Sequence, residues 1–263
     1  MKRRRFPIVW WLVFVAGLVY FFLPLYATLD FSLKARPPFA AYTNSFADPK
    51  FFESLLYSLI VGVFTIVASL LLIVPTAYWV QLRLPRARPI VEFVTLMPFV
   101  IPPVVLVFGL IRVYSQPPIP LTHTDFGSTL LLVFGYVVLS LPYMFRAVDT
   151  GLRSIDIRSL TEAAQSMGAG WPTILIWIIL PNIRVALLSG AFLTLAIVIG
   201  EFTIASFLAR PAFGPYLNLL SANKAYEPAA VALISFGLTW LAMIFIAFLG
   251  RGSRSRVSIG GAH

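Results

Sequence analysis

One acidic residue stands inside a long apolar stretch, where an ionised side chain is costly because it loses its water. Glu201 lies in the run Ile199-Gly200-Glu201-Phe202-Thr203. An acid in such surroundings favours a site where a charge partner arrives, and a passing cationic solute could be that partner. A structural role, in which the carboxylate stabilises the helix assembly, fits the same residue at least as well.

The sequence offers little for covalent or metal chemistry. It contains no cysteine, and its two histidines, His123 and His263, offer almost nothing for binding a metal. No phosphate-binding loop of the form G-x-x-x-x-G-K-[ST] occurs. No grouping of serine, histidine and carboxylate suggests hydrolysis or group transfer. We therefore expect a protein that is not an enzyme, has no cofactor and no metal, and takes any ATP-derived energy from another subunit.

The composition indicates a membrane protein. Of 263 residues, 59% are hydrophobic and 11% are charged, whereas soluble domains carry about 25% charged residues. The mean hydropathy is +0.90. The net charge of +10 could suggest nucleic acid, but the positive residues flank apolar blocks instead of clustering with aromatic residues on one element. We expect no nucleic-acid binding.

Six apolar stretches are long enough to cross a bilayer, because a spanning helix needs about 20 mostly apolar residues. The sequence therefore predicts an all-α membrane protein with six transmembrane helices in one transmembrane domain over residues 1–263. A cytoplasmic loop over residues 146–184 precedes the fifth helix. The predicted helices cover residues 6–29, 55–82, 93–111, 127–145, 185–208 and 228–249.

The basic residues predict the orientation, since positively charged loops stay in the cytoplasm. Alternate connections carry most of the lysine and arginine, so we expect both termini in the cytoplasm. The N-terminal start, basic residues followed by an apolar run, also describes a secretory signal peptide. Its apolar run is too long for that, and we expect a retained signal-anchor helix. The basic residues concerned are Lys2 to Arg5, then Arg83, Arg86, Arg88, Arg146, Arg153, Arg158, Arg184, Arg251, Arg254 and Arg256.

Prolines interrupt several of these stretches, and each removes a helix hydrogen bond. The densest group is Met97-Pro98-Phe99-Val100-Ile101-Pro102-Pro103. Backbone freed in this way must find other partners or a wet cavity within the membrane. We expect an irregular third helix in which Pro98 and Pro102 line a solute pathway, with a purely structural kink as the equal alternative.

The loop over residues 146–184 reads as two short helices joined by a sharp turn. Ser159-Leu160-Thr161-Glu162 fits a capping box, which would start a helix near Ser159 and use the Glu162 side chain as part of the cap. Gly168 suits the left-handed position that ends a helix. Pro172 suits the first turn of the next helix, where its missing amide proton costs nothing.

The same loop carries a spaced pattern: Glu162-Ala163-Ala164, three residues, Gly168, nine residues, then Ile178-Ile179-Leu180-Pro181. This pattern resembles the EAA loop of ATP-binding-cassette (ABC) importer permeases, and every fixed position matches at the expected spacing. The resemblance implies a type I importer fold similar to the maltose and methionine permeases. It also implies that this loop docks on a separate ATPase subunit, for which small residues allow close approach. The residues so implicated are Glu162, Ala163, Ala164, Gly168, Leu180 and Pro181.

The resemblance further implies partners and a location. They are a second permease subunit, identical or different, two ATPase subunits, an extracytoplasmic solute-binding protein and the lipid of a bacterial inner membrane. The chain resembles most the spermidine/putrescine permease group, with Ser206-Phe207 after Glu201, which favours a polyamine. Permeases for ferric iron, thiamine or phosphonate stay as alternatives, and a secondary transporter is a further one. Such transporters usually carry paired broken helices or several intramembrane charges.

Overall fold

The computed structural model describes residues 8–251, and the side chains of residues 10–241, 244 and 248. Lys2 to Arg5, Arg254 and Arg256, used above for orientation, lie outside the described residues, as does His263. The described chain is helical and contains no strand. Its helices are α1 (Ile8–Leu33), α2 (Ala40–Ala47), α3 (Pro49–Leu82), α4 (Arg88–Leu96), α5 (Pro103–Tyr114), α6 (Asp125–Arg153), α7 (Ile157–Ser166), α8 (Trp171–Thr173), α9 (Leu180–Asn182), α10 (Arg184–Gly200), α11 (Thr203–Phe207), α12 (Phe213–Asn223) and α13 (Glu227–Arg251).

Among the described residues, three helices are long and apolar enough to cross a membrane, and two bent helix pairs could raise that number to five. The three are α1, α3 and α6. The sixth predicted stretch lies in α13, whose segment Glu227–Leu241 is a shorter apolar helix. The structure thus establishes an all-α fold with several apolar helices, while the count of six spans and the cytoplasmic termini stay predictions.

The third predicted helix is broken. Helix α4 passes into a 3-10 turn at Met97–Phe99, and α5 starts at Pro103 after a bend of 99°. Pro98, Pro102 and Pro103 lack the amide protons that would continue the helix, which explains the break at this place. The irregular backbone expected from the prolines is confirmed, and its role in a pathway stays a prediction.

The fifth predicted helix is also interrupted, at a place without proline. Helix α10 ends at Gly200, Glu201 adopts an extended conformation, and the short α11 follows. A continuous helix over residues 185–208 was therefore wrong in its last third. At its other end, α10 meets the segment Trp171–Asn182 at a bend of 82°.

The described chain divides into two compact units, residues 8–52 with 216–238, and residues 53–215 with 239–251. In the first unit, Ala35, Ala41 and Ala230 form a buried cluster. Polar contacts supplement it: Asn44 Nδ2 donates to Glu227 Oε1 at 3.3 Å, and the Tyr216 hydroxyl donates to Asp48 Oδ2 at 3.0 Å.

The second unit is organised around α6, which is buried along both of its halves. Its carboxyl-terminal half packs in a cluster with residues of the loop that follows, including Met144, Leu152, Ile174 and Ile179. Helix α10 lies so close to α6 that a Cβ atom at Gly190 would stand 2.7 Å from Met144 Sδ. Close approach at small residues is how helices pack where lipid replaces water.

Candidate functional site

The loop between α6 and α10, residues 154–183 and hereafter the EAA loop, starts with a cap that differs from the predicted one. Asp156 is the N-cap residue: its Oδ1 accepts from the Ser159 amide at 3.2 Å, and its Oδ2 accepts from Ser159 Oγ at 2.7 Å. These hydrogen bonds hold the pKa of Asp156 below its usual range. The helix therefore begins at Ile157, and the capping box at Ser159 was wrong.

Glu162 consequently has no part in the cap. It lies in the middle of α7 with its side chain exposed. The adjacent Ala163 is exposed as well. These two side chains form the outward face of α7 that a docking partner could contact.

The opposite face of α7 is packed against the rest of the second unit. Ile157, Thr161 and Ala164 are buried, and Ala164 is only 1% exposed. Thr161 Oγ1 lies 3.2 Å from the hydroxyl oxygen of Tyr78, which connects α7 to the end of α3. The small side chain of Ala164 thus serves packing within this chain, and the expectation that it faces a partner does not hold.

The turn after α7 has the predicted geometry. Gly168 adopts φ +82°, and its amide donates to the Gln165 carbonyl at 2.9 Å. The Ala169 amide donates to the Ala164 carbonyl at 3.0 Å. This pairing satisfies carbonyls that would otherwise be orphaned at the helix end. The next helix then starts at Trp171 with Pro172 in its first turn, as predicted.

The second half of the EAA loop contains a π-helical stretch, Ile174–Ile179, which the sequence did not indicate. Such stretches are rare and occur frequently at functional sites. Ile174 and Ile179 are buried, whereas Trp177 is 75% exposed. Leu180 is half-buried and Pro181 is exposed. The loop therefore presents a polar face on α7 and an apolar face around Trp177, the latter missed at the level of sequence.

Glu201 lies at the break between α10 and α11, where its carboxylate meets backbone donors. Its two oxygens accept from the Ile204 amide at 3.0 and 2.9 Å, and Oε2 also accepts from the Ala205 amide at 3.3 Å. The carboxylate thus holds the first turn of α11, which is a structural role.

A group of ion pairs, not foreseen from the sequence, joins α4 to the end of α6. Arg88 binds Asp149 at 2.8 Å and Glu92 at 2.7 Å, and Arg153 binds Asp149 at 3.0 Å. The sequence placed these arginines on the cytoplasmic side without their partners. Within residues 8–251, no cluster of three or more histidines, cysteines or acids could hold a metal ion.

The sequence matches a known family over most of its length. The profile of the family described as "Binding-protein-dependent transport system inner membrane component" matches residues 73–255. This segment includes the whole EAA loop, the broken third helix and Glu201.

Two proteins are similar in sequence. "Probable molybdenum ABC transporter permease protein" of Haloferax volcanii is 30% identical over 186 residues, which cover 67% of this chain and 67% of that protein. The spermidine/putrescine transport system permease protein PotB of Escherichia coli (strain K12) is 27% identical over 192 residues, which cover 67% and 66%. The aligned segment is thus about two thirds of each relative's length.

A solved structure shares the fold. One chain of "Crystal structure of bacterial alginate ABC transporter in complex with alginate pentasaccharide-bound periplasmic protein" matches with a TM-score of 0.67 at 15% identity, covering 96% of this chain and 96% of that chain. At such low identity the match carries the fold alone and leaves the solute open.

Proposed function

Because this chain belongs to the family of binding-protein-dependent transport system inner membrane components, we propose that it forms half of the solute pathway of its importer and is driven by a separate ATPase subunit. The chain is a multi-pass inner-membrane permease subunit of the ABC importer class. The proposed complex contains a second permease subunit, identical or different, two ATPase subunits and an extracytoplasmic solute-binding protein. The periplasmic protein in the alginate transporter complex supports the last of these.

The observation that carries the proposal is the two-faced construction of α7. One face is fixed to the core through Ile157, Ala164 and the Thr161 contact with Tyr78. The other face leaves Glu162 and Ala163 exposed. A helix attached rigidly on one side and open on the other can receive a push from a docked ATPase and pass it to α3 and α6. Gly168, Leu180 and Pro181 complete the proposed coupling set by fixing the turn and the following helix.

The test is the substitution of Gly168 by valine. A Cβ at this position would meet nothing within 4 Å, so the variant isolates the cost of holding a β-branched residue at φ +82°, about 1–2 kcal/mol or more. We expect ATP-driven uptake to be lost while membrane insertion stays normal.

Two matched variants sharpen this test. Gly170→Val is the control, because Gly170 has φ −74° and ψ 162°, which valine adopts freely. Gly168→Asn should restore part of the uptake, since asparagine tolerates the left-handed region. Normal uptake by Gly168→Val would contradict coupling through this turn.

For the solute we propose a polyamine as the first candidate. The similarity to PotB supports it, although the capping role of Glu201 removes the direct residue argument. The relative with a molybdenum transporter name favours an oxyanion as the second candidate. Ferric iron, thiamine and phosphonate are the remaining candidate solutes and rank below these two. Proteoliposomes that contain the complete importer separate the two leading candidates. ATP-driven uptake of radiolabelled spermidine is measured in one sample and that of radiolabelled molybdate in another, each with and without an excess of the unlabelled compound.

A secondary transporter is the competing class, and the structure adds a point in its favour. Two broken helix pairs are present in the described chain, a feature that such transporters share. The two hypotheses differ in the need for an ATPase. Solute uptake by the purified chain alone, driven by an ion gradient, would overturn the importer proposal.

A further inference from the structure

The carboxyl-terminal half of α6 carries three hydrogen-bond donors on one face: Tyr143, Arg146 and Thr150. Their spacings of three and four residues place them in one row along the helix. We call this row the α6 donor face. Two cavities of about 410 and 450 Å³ open along it and share Arg146 and Thr150 as lining residues. Tyr143 lines the second cavity, beside Phe99 of the broken third helix.

The acids around this face are already neutralised. Glu92 and Asp149 line the first cavity, and both pair with Arg88, while Asp149 also pairs with Arg153. In the part of the chain that the structure describes, no carboxylate pairs with Arg146. Arg146 is therefore a surplus positive charge between two cavities.

The hydroxyls of the α6 donor face are also available. Among the side chains that the structure describes, no hydrogen bond engages the Tyr143 hydroxyl or the Thr150 hydroxyl. On the far wall of the second cavity, by contrast, the hydroxyl of Ser189 donates to the Val185 carbonyl at 2.9 Å. Arg146 and Thr150 are exposed and Tyr143 is half-buried, so one charged and two neutral donors lie open along one row to a ligand that offers acceptors.

We propose that the α6 donor face binds an anionic group with several oxygen acceptors, such as the phosphate of a phospholipid headgroup or a free tetrahedral oxyanion. Arg146 supplies the fork of N–H donors that matches two oxygens of such a group. Tyr143 and Thr150 supply single donors on either side. The cavity volumes are ample, because a water molecule occupies about 30 Å³ in the liquid.

The experiment uses the complete importer complex. In one arm the complex is held in nanodiscs that contain phosphatidylglycerol, and native mass spectrometry counts the lipid molecules that stay bound. In the other arm the complex is kept in a glycoside detergent without phospholipid, and binding of radiolabelled inorganic phosphate is measured at equilibrium. The tested variant is Arg146→Gln, and Arg83→Gln is the control, because Arg83 is an exposed arginine on the same predicted side and lines neither cavity.

We expect Arg146→Gln to lower the binding affinity for one of the two ligands by about tenfold or more, because a hydrogen bond to a charged group is among the strong ones. Arg83→Gln should leave the affinity for both ligands unchanged. Loss in the first arm assigns the site to lipid, and loss in the second assigns it to a free oxyanion. If both variants bind both ligands alike, the proposal is overturned.

Two further variants keep the test decisive. Should Arg146→Gln fail to assemble, the double variant Tyr143→Phe with Thr150→Val retains shape and charge and is expected to lower the same binding severalfold. A complex with Gly168→Val, uncoupled from ATP, should still bind the ligand. That result would show that anion binding at the α6 donor face does not depend on the proposed coupling to the ATPase.

Discussion

The interpretation of Glu201 changes once the conformation of its backbone is known. In a continuous helix the backbone amides nearby are all used, so a buried carboxylate needs a side chain or a solute as partner. The break at Gly200 frees the first amides of α11, and these are the partners that the carboxylate takes. An anion at a helix N-terminus is stabilised by those donors and by the helix dipole. The sequence revealed the unusual acid but not the break.

Replacement of Glu201 tests this capping role. We expect Glu201→Ala to lower the free energy of unfolding by about 1–3 kcal/mol, because it leaves the Ile204 and Ala205 amides without their acceptor. Glu201→Gln should have a smaller effect, since it keeps one acceptor oxygen. Thermal unfolding in detergent measures both, with Glu53→Ala as the control, an exposed acid on α3.

The variant Glu201→Gln also distinguishes the capping role from a role in the solute pathway. If Glu201 contacts a cationic solute, Glu201→Gln should abolish spermidine uptake by the assembled importer while leaving its stability intact, because the charge is removed and the shape is kept. Uptake that falls only in proportion to the loss of folded protein supports the cap. Full stability with no uptake would contradict it.

At the scale of elements, α7 shows which helix boundaries the sequence can predict. Its end was predictable because Gly168 and Pro172 act on their own backbone, through a positive φ in one case and a missing amide proton in the other. Its start was not, because Asp156 and Ser159 are both good N-cap residues. When the helix starts at Ile157, that side chain is buried to 8% exposure. This burial is a tertiary contact, which the local N-cap preferences of residues do not predict.

The Asp156 cap can be tested by proteolysis of the adjacent loop. We expect Asp156→Ala to expose the first turn of α7, so that trypsin cuts after Arg158 severalfold faster at neutral pH. Asp156→Asn keeps an acceptor oxygen and should stay near the wild-type rate. Band analysis of the purified complex measures the cleavage. Equal rates for all three proteins would mean that the cap does not control the order of this turn.

The cap also predicts a pH dependence. The pKa of Asp156 is lower in the folded protein than its usual value, which is about 3.9 in an unfolded chain. Its contribution to stability is therefore complete above about pH 4 and is lost as the pH falls through the lower folded pKa. Hydrogen exchange of the α7 amides should show protection declining in that acidic range, and Asp156→Asn should remove this part of the decline.

The breaks in the third and fifth predicted helices differ in how well the sequence predicts them. In the third predicted helix the prolines announce the break, because each removes a donor whatever the surroundings. In the fifth, a single glycine does not by itself predict a break; at the break a carboxylate caps α11 and Ile204 is completely buried. Breaks caused by tertiary contacts leave little trace in hydropathy, which sums side chains and ignores backbone partners.

At the scale of the whole molecule, hydropathy predicted the class of protein correctly, because the bilayer requires apolar side chains along the length of a span. The ion pair between Arg88 and Asp149 was beyond reach, since it joins residues 61 positions apart. Together with Arg153, this pair connects α4, the first part of the broken third helix, to the end of α6 that leads into the EAA loop. The end of α6 that leads into the EAA loop therefore has a direct polar connection to the broken helix.

The orientation of the chain can be measured directly, because the natural sequence contains no cysteine and each introduced thiol is unique. We expect a membrane-impermeant maleimide to label Thr43→Cys and Ser221→Cys in intact spheroplasts, since both sites are exposed and lie in connections predicted outside the cytoplasm. Ser154→Cys, just ahead of α7, and Ser255→Cys, beyond the described residues, should react only after permeabilisation.

Labelling of all four thiols in lysed cells is the control for reactivity. The pattern follows from six spans: Ser154 and Ser221 are separated by one crossing, and Ser221 and Ser255 by another. Each crossing reverses the side, so five spans would move one terminus to the other face of the membrane. Since an ATPase can reach the permease only from the cytoplasm, labelling of Ser154→Cys in intact spheroplasts would place the EAA loop out of its reach and end the coupling proposal.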